Sequence, residues 1–137
     1  MEHFIRTVFW IFTLSGFLQA APRPAKSDFR INLMRESVKC LPDSKFYTPE
    51  NVLDKCITTA VDCVMKELNG TAKVECDGPK DYINLALSAF SLLRKERQDK
   101  GYGLTNSTDC VCEKWRQTNF SEFLNKTSDL IDKINSK

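Results

Sequence analysis

The chain is poor in histidine: its one copy, His3, lies in an N-terminal stretch that reads as a cleaved secretory signal. Once that stretch is removed, no His-dependent catalytic triad, His proton relay or His metal site can be assembled. After residue 20 there is also no apolar run near the ~20 residues that cross a bilayer, so no membrane insertion is expected. Charge of one sign is not in excess either. Twenty Lys and Arg against 18 Asp and Glu leave a formal charge of +2, with the signs interspersed, and that argues against a nucleic-acid partner. Internal repeats, low-complexity tracts and alternating β-branched runs are all missing, which speaks against solenoids, disordered tails and sheets. Acidic pairs such as Asp129 with Asp132 fall on helix faces where charge is normally solvated. The expectation is a protein that is not an enzyme and needs no cofactor or metal.

Several features stand against these absences. A cationic residue, Arg6, precedes an apolar run from Thr7 to Leu18, then Ala20 and Ala21 before Pro22. This is the pattern of a signal peptide over 1–20, leaving one domain over 21–137 that is exported and extracellular. Removing Glu2 and Arg6 takes one charge of each sign, so the excess of two is kept. All six cysteines, Cys40, Cys56, Cys63, Cys76, Cys110 and Cys112, follow the signal. An even count in a short exported chain predicts three disulfides, with about 15 pairings open to spacing alone. Cys110-x-Cys112 lacks the spacing of a redox or metal site. Sequons at Asn69, Asn106, Asn119 and Asn125 fit passage through a glycosylating compartment.

The apolar periods are helical. A first helix is predicted from about Asp28, capped by Ser27 or Asp28, with Ile31, Met34, Val38 and Leu41 on one face until Pro42 stops it. A second spans Thr48 to Leu68, with Pro49 in its first turn and Leu53, Ile57, Val61, Val64 and Leu68 as its stripe, ending at Asn69-Gly70. Cys56 and Cys63 are seven apart and share nearly one face of it. A third begins at Asp81 and is apolar on most sides through Ile83, Leu85, Ala86, Leu87, Ala89, Phe90, Leu92 and Leu93, so it is expected to be the most buried. The last runs from about Glu113, with Phe120, Phe123, Leu124, Thr127, Leu130, Ile131 and Ile134 as core positions. Trp115 reads as packing. Four amphipathic helices with three disulfides predict an all-α bundle.

Lys45-Phe46-Tyr47-Thr48-Pro49, then Cys56, Cys63 and Glu67-Leu68, then Cys112-Glu113 and Glu122-Phe123-Leu124-Asn125, resemble the interleukin-2, interleukin-15 and interleukin-21 family in order and spacing over about two thirds of the chain. The resemblance implies a short-chain four-helix cytokine, up-up-down-down and disulfide-stapled, with Phe46 to about Asp54 in a long crossover. It pairs Cys63 with Cys112 and Cys56 with Cys110, and leaves Cys40 with Cys76 as a bond beyond the family pattern. The implied partners are cytokine receptor ectodomains on lymphocytes, a beta-type chain, the common gamma chain and an alpha chain, bound by a monomer. Asp28 and Asn84 resemble the beta-type contacts, Phe46, Tyr47 and Glu67 the alpha-type contacts. The same residues also read as a cap, a first-turn amide and packing under the loop. Where the family carries a gamma-contacting glutamine this chain has Asp132, which accepts hydrogen bonds but does not donate them. Asn125 lies about two turns earlier on nearly the same outward face, so a glycan there would crowd that receptor. Asn106, in a loop, is therefore expected to be the better acceptor. The rival from another class is a saposin-like lipid-binding protein, which is also helical with six cysteines.

Overall fold

A computed structural model describes residues 24–136; the stretch read as a signal peptide, His3 included, lies outside the described residues. The chain is mostly helical and carries three disulfides, Cys40–Cys76, Cys56–Cys110 and Cys63–Cys112, the pairs that the resemblance implies.

The first helix is shorter than its apolar pattern predicts. A tight 3-10 turn at Lys26–Phe29 is closed by Asp28, whose Oδ2 accepts from the Ala25 amide at 2.9 Å. Arg30 then takes a left-handed conformation (φ 56°) and breaks the axis before α1, Ile31–Ser37. Ile31, Met34 and Val38 are buried as the stripe requires, but Leu41 is 62% exposed. Helix ends at Ser37 because Val38 turns extended and Lys39 exchanges backbone hydrogen bonds with Asp77 at 2.8 and 2.7 Å, beside the Cys40–Cys76 bond.

The second helix starts later than its pattern. Residues 48–53 are not helical, and Asn51 is left-handed (φ 51°). Phe46–Tyr47 forms strand β1, and Thr48 continues the pairing by donating its amide to the Arg116 carbonyl at 3.0 Å. A 3-10 turn at Asp54–Cys56 leads into α2, Ile57–Glu67. Leu53 is exposed rather than on the stripe, whereas Ile57, Val61, Val64 and Leu68 are buried. Nor does Asn69-Gly70 end the helix. A π turn at Leu68–Ala72 carries it on to α3, Lys73–Glu75, and keeps both Leu68 and Ala72 in the core. Gly78 makes the actual reversal at φ 117°.

Helix α4, Asp81–Asp99, packs against α2 and the N-terminal turn, burying Ile83, Ala86, Ala89, Phe90 and Leu93. It is not buried all round as expected: Leu85 and Leu92 are 45% and 58% exposed. They lie one heptad apart, and among the described residues no other element covers that flank. The last helix, α5, is Phe120–Asn135 and also starts later than predicted, capped by Asn119, whose Oδ1 accepts from the Glu122 amide at 2.9 Å. The residues before it form β2, Gln117–Thr118, antiparallel to β1, with Phe46 opposite Thr118 and Tyr47 opposite Gln117. All seven predicted core residues of α5 are buried.

Two glycines separate backbone demand from convenience. At Gly78 the Ser37 carbonyl oxygen occupies the place of a Cβ, so Gly78→Ala should lower stability by about 1–3 kcal/mol in thermal melts. Gly70 sits within helix with open space around it, so Gly70→Ala should raise stability by about 0.5–1 kcal/mol.

Candidate functional site

The surface residues singled out above fall in three places. The first is a seam between the N-terminal segment with α1 and the outer face of α5. Lys26 Nζ meets Asp132 Oδ1 at 2.6 Å, both side chains about half exposed (47% and 55%). Closer to the middle of the seam, Arg35 donates to Asn32 Oδ1 at 2.7 Å and to Asn125 Oδ1 at 2.6 Å, joining α1 to α5. Between these contacts lies a groove of about 560 Å³ lined by Lys26, Ser27, Arg30, Ile31, Leu33 and Ser128, among others. Exposed pairs of this kind add at most about 1 kcal/mol to stability. They shape the surface more than they hold the fold.

Asp28 and Asn84 belong to the second place. Phe29 packs on Phe90 of α4 at 4.6 Å between ring centroids, which sets the N-terminal turn against that helix. Asp28 is exposed and is also the cap of its own turn. Asn84 is exposed in the first turn of α4, roughly 9 Å along the axis from Phe90. The exposed Leu85 and Leu92 lie on the same outer half of α4, opposite its ion pair to α2, where Arg94 meets Asp62 at 2.5 Å.

The third place is the crossover against the end of α2. Phe46 is 0% exposed, with its ring 5.2 Å from those of both Phe120 and Phe123. This corrects its place among the surface contacts: the packing role is the one its position supports. Tyr47 is half-buried, and its backbone amide donates to the Glu67 carboxylate, which Thr71 also bonds. Burial pushes the Glu67 carboxyl above its ordinary value of 4.5, with Glu113 and Glu75 adding to the rise against those two hydrogen bonds. On the far side of the crossover Glu50 accepts from Arg116 at 3.0 and 3.3 Å and lies 3.6 Å from Lys126; the Arg116 hydrogen bond lowers its pKa. Lys133 donates to the Val52 carbonyl, so α5 grips the crossover twice.

Lys26, Arg35 and Glu50 were invisible to pattern reading, because their partners lie 66 or more residues away and nothing periodic marks them. Among the four sequon residues, Asn119 serves as a helix cap, Asn125 is held by Arg35, and Asn69 and Asn106 are exposed. Among the described residues, no group of His, Cys, Asp and Glu could hold a metal ion, and no helix is long and apolar enough to cross a membrane.

A carboxylate with a raised folded pKa costs stability where it must ionise. The protein should therefore gain stability from Glu67 as pH falls from neutrality through the raised pKa towards 4.5. Glu67→Gln should lose that gain, so its advantage over the parent in thermal melts should be greatest near neutrality and shrink on acidification. A difference independent of pH would contradict the assignment. No family model matches the chain, and no curated protein matches it.

Proposed function

We propose that the chain is a secreted short-chain four-helix cytokine, up-up-down-down, of the interleukin-2, interleukin-15 and interleukin-21 group. It acts by holding a beta-type chain and the common gamma chain of a class I cytokine receptor together on lymphocytes. The observation that carries the reading is the pair of bonds from Cys56, at the start of α2, and Cys63, within it, to Cys110 and Cys112 ahead of α5, with a non-helical crossover packed beneath them. That arrangement joins the motif residues quoted above into one unit. Lys45-Phe46-Tyr47 with Pro49 and the Glu122-Phe123-Leu124-Asn125 string lean to interleukin-2, while Tyr47-Thr48 and the paired cysteines resemble interleukin-15.

Such a ligand performs no bond-making. Its faces carry affinity through a few buried anchors and charged groups at the rim, and the receptor-bound kinases are activated when the two ectodomains are drawn together. The Asp28 and Asn84 face would take the beta-type chain, and the seam around Asp132 the gamma chain. Lys26 bears on the second contact. Beside Asp132 it adds the donor that a carboxylate lacks, so the pair presents one donor and one acceptor as the family glutamine does. Tyr47 and Glu67 would meet an alpha chain. A saposin-like lipid carrier places cysteines near both ends of its domain, whereas α5 has none beyond Cys112.

The test is to add the purified protein, lacking residues 1–20, to activated lymphocytes of the source organism and to measure phosphorylation of the receptor-coupled transcription factors. A dose-dependent signal is expected. Asp132→Lys sets two ammonium groups against each other at the seam, and should weaken the signal about tenfold or more, the equivalent of ~1.4 kcal/mol at one interface. Its melting temperature should stay within a few degrees of the parent's. A folded protein with no signal and no receptor binding, but with liposome binding, would overturn the cytokine reading in favour of the lipid carrier.

A further inference from the structure

Thr127 is a threonine where the fold has use only for its carbon atoms. It lies in the core stripe of α5 at 0% exposure, and its hydroxyl has no hydrogen-bond partner. The other buried threonines differ: Thr48 and Thr118 share a hydroxyl–hydroxyl bond at 2.5 Å, and Thr58 donates to the Tyr102 carbonyl at 2.8 Å. A buried hydroxyl without a partner is a cost that valine, of the same shape, would avoid. What the hydroxyl does supply is the third residue of Asn125-Lys126-Thr127, where N-glycosylation requires Ser or Thr.

Asn125 itself is ready for that modification. It is exposed, and among the described residues its side chain's one hydrogen bond is to accept from Arg35. A guanidinium can only donate, so the atom facing it is the carbonyl oxygen and Nδ2 is left free. Glycosylation uses Nδ2. A bond forms from it to the anomeric carbon of an oligosaccharide, that carbon's bond to the phosphate of a lipid-linked pyrophosphate donor breaks, and one amide proton is lost. Oδ1 keeps its bond to Arg35, so the modified side chain stays docked on α1.

We propose that Asn125 carries an N-glycan and that its occupancy controls access to the seam between α1 and α5. Seven residues separate Asn125 from Asp132, about 10 Å along one face of the helix, with Ser128 of the groove between them. A core oligosaccharide rooted there covers the Lys26–Asp132 pair. The buried hydroxyl favours occupancy and so reverses the sequence-based preference for Asn106 over Asn125. The consequence for signalling rests on the cytokine reading, and the masking does not. Secreted protein would divide into a form with the seam covered and a form with it open, differing in gamma-chain engagement.

The full chain, secreted from vertebrate cells, would be compared with Thr127→Val, Asn125→Gln and Asn106→Gln by glycopeptide mapping. A bulky amine-reactive reagent would report access to Lys26, with Lys95 on α4 as the reference, and lymphocyte signalling would be measured per mole. The parent should carry a glycan at Asn125 and both seam variants none. Lys26 should be labelled severalfold faster in those two, and each should signal more strongly than the glycosylated parent, with Asn106→Gln unchanged. Thr127→Val should also melt higher than enzymatically deglycosylated parent; if it fails to fold, Asn125→Gln carries the comparison. An empty Asn125 in the parent, or a glycan there that alters neither Lys26 labelling nor signalling, would overturn the proposal. Protected Lys26 with no signalling from any form would uphold the mask and remove the receptor reading.

Discussion

The two disulfides that tie α2 and the turn before it to the segment before α5 are the constraint from which the rest of the structure follows. Cys56 and Cys63 stand two turns apart, about 10 Å along the helix axis, while Cys110 and Cys112 are separated by Val111 alone. Even fully extended, two residues span only about 7 Å, so the backbone must be drawn out and the cysteine side chains must cover the rest; Val111 is indeed extended (ψ 131°). The segment is thus laid along α2 in one direction, and it delivers Gln117–Thr118 to Phe46–Tyr47. Once that ribbon forms, the crossover cannot be helical, Phe46 is carried into the Phe120 and Phe123 cluster, and α5 can begin only after Asn119.

Energetically the staples matter because the core is small. Their loops span 54, 49 and 36 residues. Each restricts the unfolded chain by roughly 2–4 kcal/mol, comparable with a large share of a small domain's whole stability. Exposed ion pairs such as Lys26–Asp132 and Lys95–Asp99 contribute far less. Stability and recognition are accordingly divided: covalent bonds and the phenylalanine cluster hold the frame, and exposed polar pairs between distant segments give the faces their character. Thr127 lies where the two demands meet, a core position with a hydroxyl that packing does not require.

Helix faces were legible in the sequence; helix ends were not. Every core position predicted for α5 is buried, because a stripe with helical steps depends only on local geometry. The starts of α2 and α5 were misplaced because β1 and β2 pair across about 70 residues, and local propensity carries no trace of that pairing. Leu41 left its stripe because Cys40 is bound to Cys76 and Lys39 to Asp77, both non-local ties. Leu85 and Leu92 show the reverse: apolarity on most sides of α4 suggests burial, yet one flank of that helix is exposed among the described residues. At the candidate site Asp132, Asn84 and Glu67 were found through resemblance, while Lys26 and Arg35 needed the packed structure to show what they touch.

The role we propose for this protein is that of a bridge between two receptor chains. The most direct measurement is the mass, by light scattering after size-exclusion chromatography, of the species formed when the purified protein meets the soluble beta-type and common gamma ectodomains of its source organism. A complex with one copy of each of the three, absent when the protein is left out, is the predicted result. Three components that elute separately at micromolar concentrations, with the protein folded and its disulfides intact, would contradict the account.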